Sequence, residues 1–124
     1  MARVTGTGQP VNIAGFDRIL HYIEVGITAI GDTVIFAPTA GLTFYIMKLL
    51  LSAAGPGVVN VRGRSGANFI LGNIAAGISL YAQGGYVESS DIWPILIGAA
   101  PGEAFILNLD ANVPVGGHIV WYEA

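Results

Sequence analysis

Short apolar runs that alternate with polar residues, separated by glycine and proline turns, dominate the chain. In 103–112, Phe105, Leu107, Leu109 and Ala111 fall on one side of an extended backbone, and Asn108, Asp110 and Asn112 on the other. Val59 and Val61 oppose Asn60, Arg62 and Arg64 in the same way. This period of two marks a half-buried β-strand. The run 42–52 differs, with Phe44, Ile46 and Leu50 on one face and Tyr45, Met47, Leu49 and Leu51 on the other. A strand apolar on both faces lies inside a sandwich with covered backs or contributes to a subunit interface. Lys48 is its only charge, placed to mark a bulge or a bend.

Further strands are predicted at 23–30, 33–37, 69–71, 78–83, 95–99 and 118–123. Turns are predicted at 38–41, 55–57, 84–85, 101–102 and 116–117, where glycine and proline cluster. About eight short strands with turns between them predict an all-β fold, a jelly-roll-like antiparallel β-sandwich. The first 22 residues allow two readings. Phe16, Ile19, Leu20 and Ile23 have the i, i+3, i+4, i+7 spacing of a short amphipathic helix. The glycine-rich stretch 6–15 instead suits an extended arm that orders against a neighbouring subunit. The domain division is thus 1–22 as arm or helix and 23–124 as a single sandwich.

Charge changes the picture most. Only 10% of the 124 residues are charged, against about 25% in ordinary globular domains. Hydrophobic residues reach 53% and mean hydropathy is +0.65. Either Ser, Thr, Asn and backbone clothe the surface, or neighbours hide part of it. The five basic residues, Arg3, Arg18, Lys48, Arg62 and Arg64, are too few and too dispersed for a phosphate-tracking groove, so no nucleic acid is expected. Residues 65–87 carry no charge and are long enough to span a bilayer, yet Asn68, Asn73, Ser79, Gln83 and five glycines interrupt them. No membrane span is expected. The N-terminal residues hold no apolar core of signal-peptide length. Cysteine is absent, which removes disulfides and thiolate chemistry.

Candidate chemistry is thin. His21 and His118 are far apart, and metal sites gather three or four donors. Gly63-Arg64-Ser65-Gly66-Ala67 resembles a nucleophile elbow but carries Ala in place of the second glycine and reads better as a hairpin turn. Gly6-Thr7-Gly8 has no strand before it to make a phosphate loop. Glu88-Ser89-Ser90-Asp91 is too sparse for calcium. The eight carboxylates are scattered, as solvated strand ends and turns would be. No catalytic residue, metal or cofactor is expected, and the chain does not read as an enzyme. Aromatic residues carry more weight, as core, as interface anchors or as a sugar platform. Trp121 and Tyr122 are adjacent on a strand and face opposite sides, so only one can enter the core. The candidate interface residues are Phe16, Ile19, Tyr45, Met47, Trp93, Trp121 and Tyr122.

From Gly31 onward the order of features is familiar. It runs through Gly31-Asp32-Thr33-Val34-Ile35-Phe36-Ala37, then Leu49-Leu50-Leu51-Ser52-Ala53-Ala54-Gly55, then Val59-Asn60-Val61-Arg62-Gly63-Arg64-Ser65-Gly66. It closes with Gly102-Glu103-Ala104-Phe105-Ile106-Leu107-Asn108-Leu109-Asp110 and Val115-Gly116-Gly117-His118-Ile119-Val120-Trp121-Tyr122-Glu123. This resembles the small β-sandwich virion proteins of tailed phages and prophages, of the head decoration (cement) or head-fibre type. Such relatives would carry a Trp-Phe pair where this chain has Ile95-Leu96. The resemblance implies a structural virion protein on the capsid surface, a homo-oligomer, most simply a trimer, whose partner is the major capsid protein. The alternative it implies is the receptor- or carbohydrate-binding head of a phage fibre.

Overall fold

Strand pairing in the computed structural model, which describes residues 5–13, 15–73, 76–90 and 93–124, is nested. Among the described residues there are eleven strands and no helix. Strands β5 (Val59–Ser65) and β6 (Asn68–Leu71) form a hairpin through the Gly66-Ala67 turn. Outside it, β4 (Phe44–Ala53) pairs with β8 (Gly85–Ser89), β3 (Gly31–Phe36) with β10 (Phe105–Leu109), and β2 (Phe16–Ile27) with β11 (Val115–Glu123). Rolling up this antiparallel ribbon inserts β11 between β2 and β4, and β10 between β3 and β5. The results are two facing sheets, ordered β2-β11-β4-β8 and β3-β10-β5-β6, which is a jelly roll. Strand β1 (Thr5–Ile13) extends the first sheet beyond β2. Two short strands, β7 (Ile78–Leu80) and β9 (Leu96–Ile97), add to β5 and β4.

The core follows from alternation. Ile23, Val25 and Ile27 of β2, Val59 and Val61 of β5, and Phe105, Leu107 and Leu109 of β10 are all buried, with polar or half-exposed residues between them. At one end Phe36, Phe44, Phe105 and Trp121 form an aromatic cluster, with Phe36 stacked on Trp121 at 4.1 Å between ring centroids.

Four expectations change. The chain from 16 to 27 is a strand, not a helix, and 5–13 is its hairpin partner, so the segment is built into the sheet of its own chain. The helical spacing was a coincidence of a strand apolar on both faces, and the boundary set at 22/23 falls inside β2. Residues 1–4 of the expected arm lie outside the described residues. Second, Gly116 and Gly117 lie within β11 and do not form a turn. Third, β8 begins at Gly85, where a glycine turn was expected. Last, β4 changes face midway. Its register against β11 steps from Lys48 opposite Val120 to Ile46 opposite Trp121, leaving Met47 as the extra residue of a bulge. Phe44 and Ile46 before the bulge, and Leu49, Leu51 and Ala53 after it, therefore all enter the core.

Candidate interface surface

The two outer faces of the sandwich differ in chemistry. On the β3-β10-β5-β6 sheet the outward residues are tied to one another. Arg64 pairs with Asp32, which also accepts a hydrogen bond from Asn108 Nδ2 at 2.8 Å. Asp110 accepts from Asn60 N and Nδ2, both at 2.7 Å, and Asn60 Oδ1 accepts from Ser79. Those bonds hold the Asp110 carboxyl below its usual range, the backbone N–H of Asn60 contributing most. Arg62 Nε donates to the Asn73 carbonyl at 2.8 Å. This face is mainly polar, with Val34 exposed among these groups and, within the described residues, Arg64 Nε left without a hydrogen-bond partner.

The other outer face, on β2-β11-β4-β8, is apolar at its centre. Ile13, Met47 and Tyr122 are buried there in a second, smaller cluster with Leu20 and Tyr45 against it. The bulge makes this possible, because it turns Met47 outward beside Tyr45. Tyr45 and Tyr122 lie opposite each other in register and stack, with centroids 4.9 Å apart and planes 8° from parallel. Arg18 lies over Tyr122 at 5.2 Å and over Phe16 at 5.1 Å, a cation held between two rings. Burial pushes the Tyr122 hydroxyl up, and the nearby Arg18 charge opposes the shift. Beside the stack, Ile13, Leu20, Met47 and Val120 floor a depression of about 400 Å³, rimmed by Lys48 and Ser89.

Register arranges this face in rows. Tyr22, Val120, Lys48 and Ser89 form one row across the four strands, and Glu24, His118, Leu50 and Val87 the next. The row after that is Gly26, Gly116, Ser52 and Gly85, which is almost bare backbone. Large side chains thus crowd one end of the face, and a shallow trough crosses the other.

The charges here are also distinctive. Asp17, Asp32, Glu88, Glu103, Asp110 and Glu123 each accept a hydrogen bond within the chain. Glu24 accepts none among the described residues. Arg18 and Lys48 likewise meet no carboxylate among them. All three sit on this one face.

Of the seven residues proposed from sequence, Phe16, Tyr45, Met47 and Tyr122 come together here. Trp121 points the other way, into the core against Phe36. Ile19 lies on the opposite side of β2 from Leu20, where it lines a separate depression with His21, Leu42 and Glu123. Trp93 is 66% exposed in the connection from β8 to β9, apart from the cluster. Sequence reasoning missed Arg18, Leu20 and Glu24 as members of the face. Reading 16–27 at period two would have placed all three on one side with Phe16.

Ser65 is fully buried, and its Oγ accepts from Ala99 N at 2.8 Å and bonds Glu103 Oε2 at 3.2 Å. It is a structural tie at the end of a hairpin. Among the described residues no three His, Cys, Asp or Glu side chains gather to hold a metal ion. No described helix is long and apolar enough to cross a membrane. Neither family models, curated proteins nor solved structures yield a match to this chain.

Proposed function

We propose that this chain is a structural assembly subunit, a capsid-decoration protein of a tailed phage or prophage that associates with itself and with the major capsid protein. The observation that carries the assembly part is the contrast between the two outer faces. One is mainly polar and largely tied together by hydrogen bonds within the chain, although Arg64 Nε has no partner among the described residues and Val34 is exposed there. The other exposes Phe16, Tyr22 and Val87 around a stacked tyrosine pair, and its Lys48 and Glu24 meet no opposite charge among the described residues. A large apolar patch with a charged rim is the usual form of a protein contact surface. The capsid part rests on the sequence resemblance from Gly31 onward. A weak contact suits decoration, because burial gives roughly 25 cal/mol per Å² of apolar surface and many copies act together on a shell. No chemical step belongs to this reading.

A second reading, the sugar-binding head of a fibre, draws on Trp93 and Tyr81, which are exposed aromatic side chains away from the sheet face. The deciding experiment is mass spectrometry of purified virions split into head and tail fractions. Decoration requires the chain in the head fraction at high copy, and loss of head stability in particles assembled without it. Recovery only with tail fibres would favour the second reading, and absence from virions would overturn both.

A further inference from the structure

The open edge of the β2-β11-β4-β8 sheet is palindromic in its chemistry. Strand β8 is the last strand of that sheet. Ala53 N donates to Gly84 O, and Ser90 N to Met47 O, both at 2.9 Å. Backbone groups alternate in direction along an antiparallel strand, so Tyr86 and Glu88 also turn theirs toward β4. Gly85, Val87 and Ser89 therefore aim their N–H and C=O groups outward, at an edge that no described strand covers. We infer that this edge pairs antiparallel with the same edge of a second copy of the chain, about a two-fold axis at Val87.

The edge is unguarded. Exposed edge strands are normally blunted by proline, lysine, a bulge or an unpaired charge. Strand β8 has no proline or lysine, its register against β4 runs without a shift, and its one charge, Glu88, accepts from the Tyr86 hydroxyl. At the far edge of the sheet β1 is blunted, since Pro10 lacks a donor and the register slips between Thr7 and Pro10. Gly85, Val87, Glu88 and Ser89 are all exposed. The β1–β2 hairpin leaves them open, with its Ile13 seated on Met47 and Tyr122 instead.

What selects a second copy as the partner is that the edge matches itself. The axis sets Val87 opposite Val87 of the other copy, the two exchanging backbone hydrogen bonds, and sets Gly85 opposite Ser89, both small. On the other side of the strand Tyr86 faces Glu88 of the other copy, the same pair that already bonds within one chain. Beyond the strand ends, Tyr81 and Trp93 stand equally far from Val87 along the chain. A turn holds each close to its end of β8. Gly84 N donates to Tyr81 O at 2.7 Å, and Trp93 N to Ser90 Oγ at 3.1 Å. The axis brings Trp93 of each copy beside Tyr81 of the other. Tyr81, Val87 and Trp93, at 67%, 61% and 66%, are three of the four most exposed large hydrophobic side chains among the described residues. One two-fold operation covers all three, and a two-fold contact must use the same patch twice.

A strand of five residues is about 17 Å long, and with a ring at each end the contact covers roughly 300–500 Å² per copy. That is below the ~800 Å² each partner gives to a standard interface, so the free dimer is weak and repetition on a shell would reinforce it. The inference rests on the assembly reading above and deepens it by locating the self-contact, which becomes two-fold where the sequence resemblance suggests a trimer.

Sedimentation velocity of the full chain, at concentrations up to about 1 mM, is the test. The wild type is expected to show a monomer–dimer equilibrium. Val87→Pro removes only an outward N–H from β8, so the fold should survive while dimerisation falls at least tenfold. Val87→Lys leaves the backbone unchanged and sets two cations face to face on the axis, with the same loss expected; it decides alone if the proline unfolds the strand. The chain has no cysteine, so Val87→Cys carries a single thiol that the axis places opposite itself. Mild oxidation should link this variant into dimers, while Phe16→Cys, equally exposed but on β2, should stay unlinked. A wild type that stays monomeric or forms trimers, dimers unchanged by Val87→Lys, or equal cross-linking at both positions would overturn the inference. Virion mass spectrometry reads the capsid proposal separately. Dimers absent from particles would sink that proposal alone, and a monomer found on heads would sink this inference alone.

Discussion

The backbone of Gly117 rests against the carbonyl of Leu50 so closely that a Cβ built on Gly117 would lie 1.7 Å from that oxygen. Its φ of +156° is also one that side chains rarely allow. Gly117 therefore has no substitute in the middle of β11, between β2 and β4. Gly117→Ala is expected to cost at least about 3 kcal/mol, since the strand pair must part or the backbone must rotate. Gly116→Ala, with an ordinary 3.7 Å contact, should change stability by less than about 1 kcal/mol. Urea unfolding of the two variants checks the contrast, which fails if both cost the same.

Trp121 and Trp93 should behave as opposites. Trp121 is buried at the aromatic end of the core, stacked on Phe36 and beside His21. Trp121→Ala should cost about 3–5 kcal/mol. Trp93→Ala removes an exposed side chain and should cost no more than about 0.5 kcal/mol. Acrylamide quenching gives an independent reading, with the quenchable emission vanishing in Trp93→Ala. Strong quenching that survives the substitution would place Trp121 at the surface.

Ser65→Ala tests whether the residue that resembled a nucleophile is a tie. Without Oγ, the Ala99 N–H loses its acceptor and Glu103 loses its side-chain partner. Ser65 is buried but Ala99 is exposed, so water can reach the freed donor in part and a loss of about 1 kcal/mol should appear in thermal unfolding. A variant as stable as the wild type would remove the structural role.

How far the sequence was legible depended on local alternation. Strands β5 and β10 show it cleanly because each has one face in the core and one in water, and both were placed from sequence. Strand β4 also announced itself, but the bulge at Met47 could not be read, since one extra residue exchanges the faces without altering composition. Trp121 and Tyr122 were known to face opposite sides; which one went inward depended on the partner strands. Strand β8 was missed because an edge strand of Gly85, Glu88 and Ser89 buries too little to leave a pattern. The candidate surface suffered most at β2, where apolar residues on both faces imitate a helix and hid Arg18, Leu20 and Glu24.

Alkaline pH should loosen the β8 edge through Tyr86. Its hydroxyl donates to the Glu88 carboxylate two residues along the same strand. That bond, followed by burial and the charge of Glu88, pushes the phenol up to about 12 from an ordinary value near 10. The folded state thus holds this proton more tightly than the unfolded chain does. The contribution to stability is complete below about pH 10 and disappears as pH rises through about 12. Solvent at this edge weakens the effect, so about 1 kcal/mol is the expected size. Tyr86→Phe removes the titrating group along with the bond. It should be about 0.5–1 kcal/mol less stable at pH 7, and the gap should close between pH 10 and 12. Thermal unfolding of both proteins from pH 8 to 12 measures the gap directly, with other titrating groups cancelling in the difference. Parallel curves across that range would mean that Tyr86 and Glu88 share no proton-dependent contact.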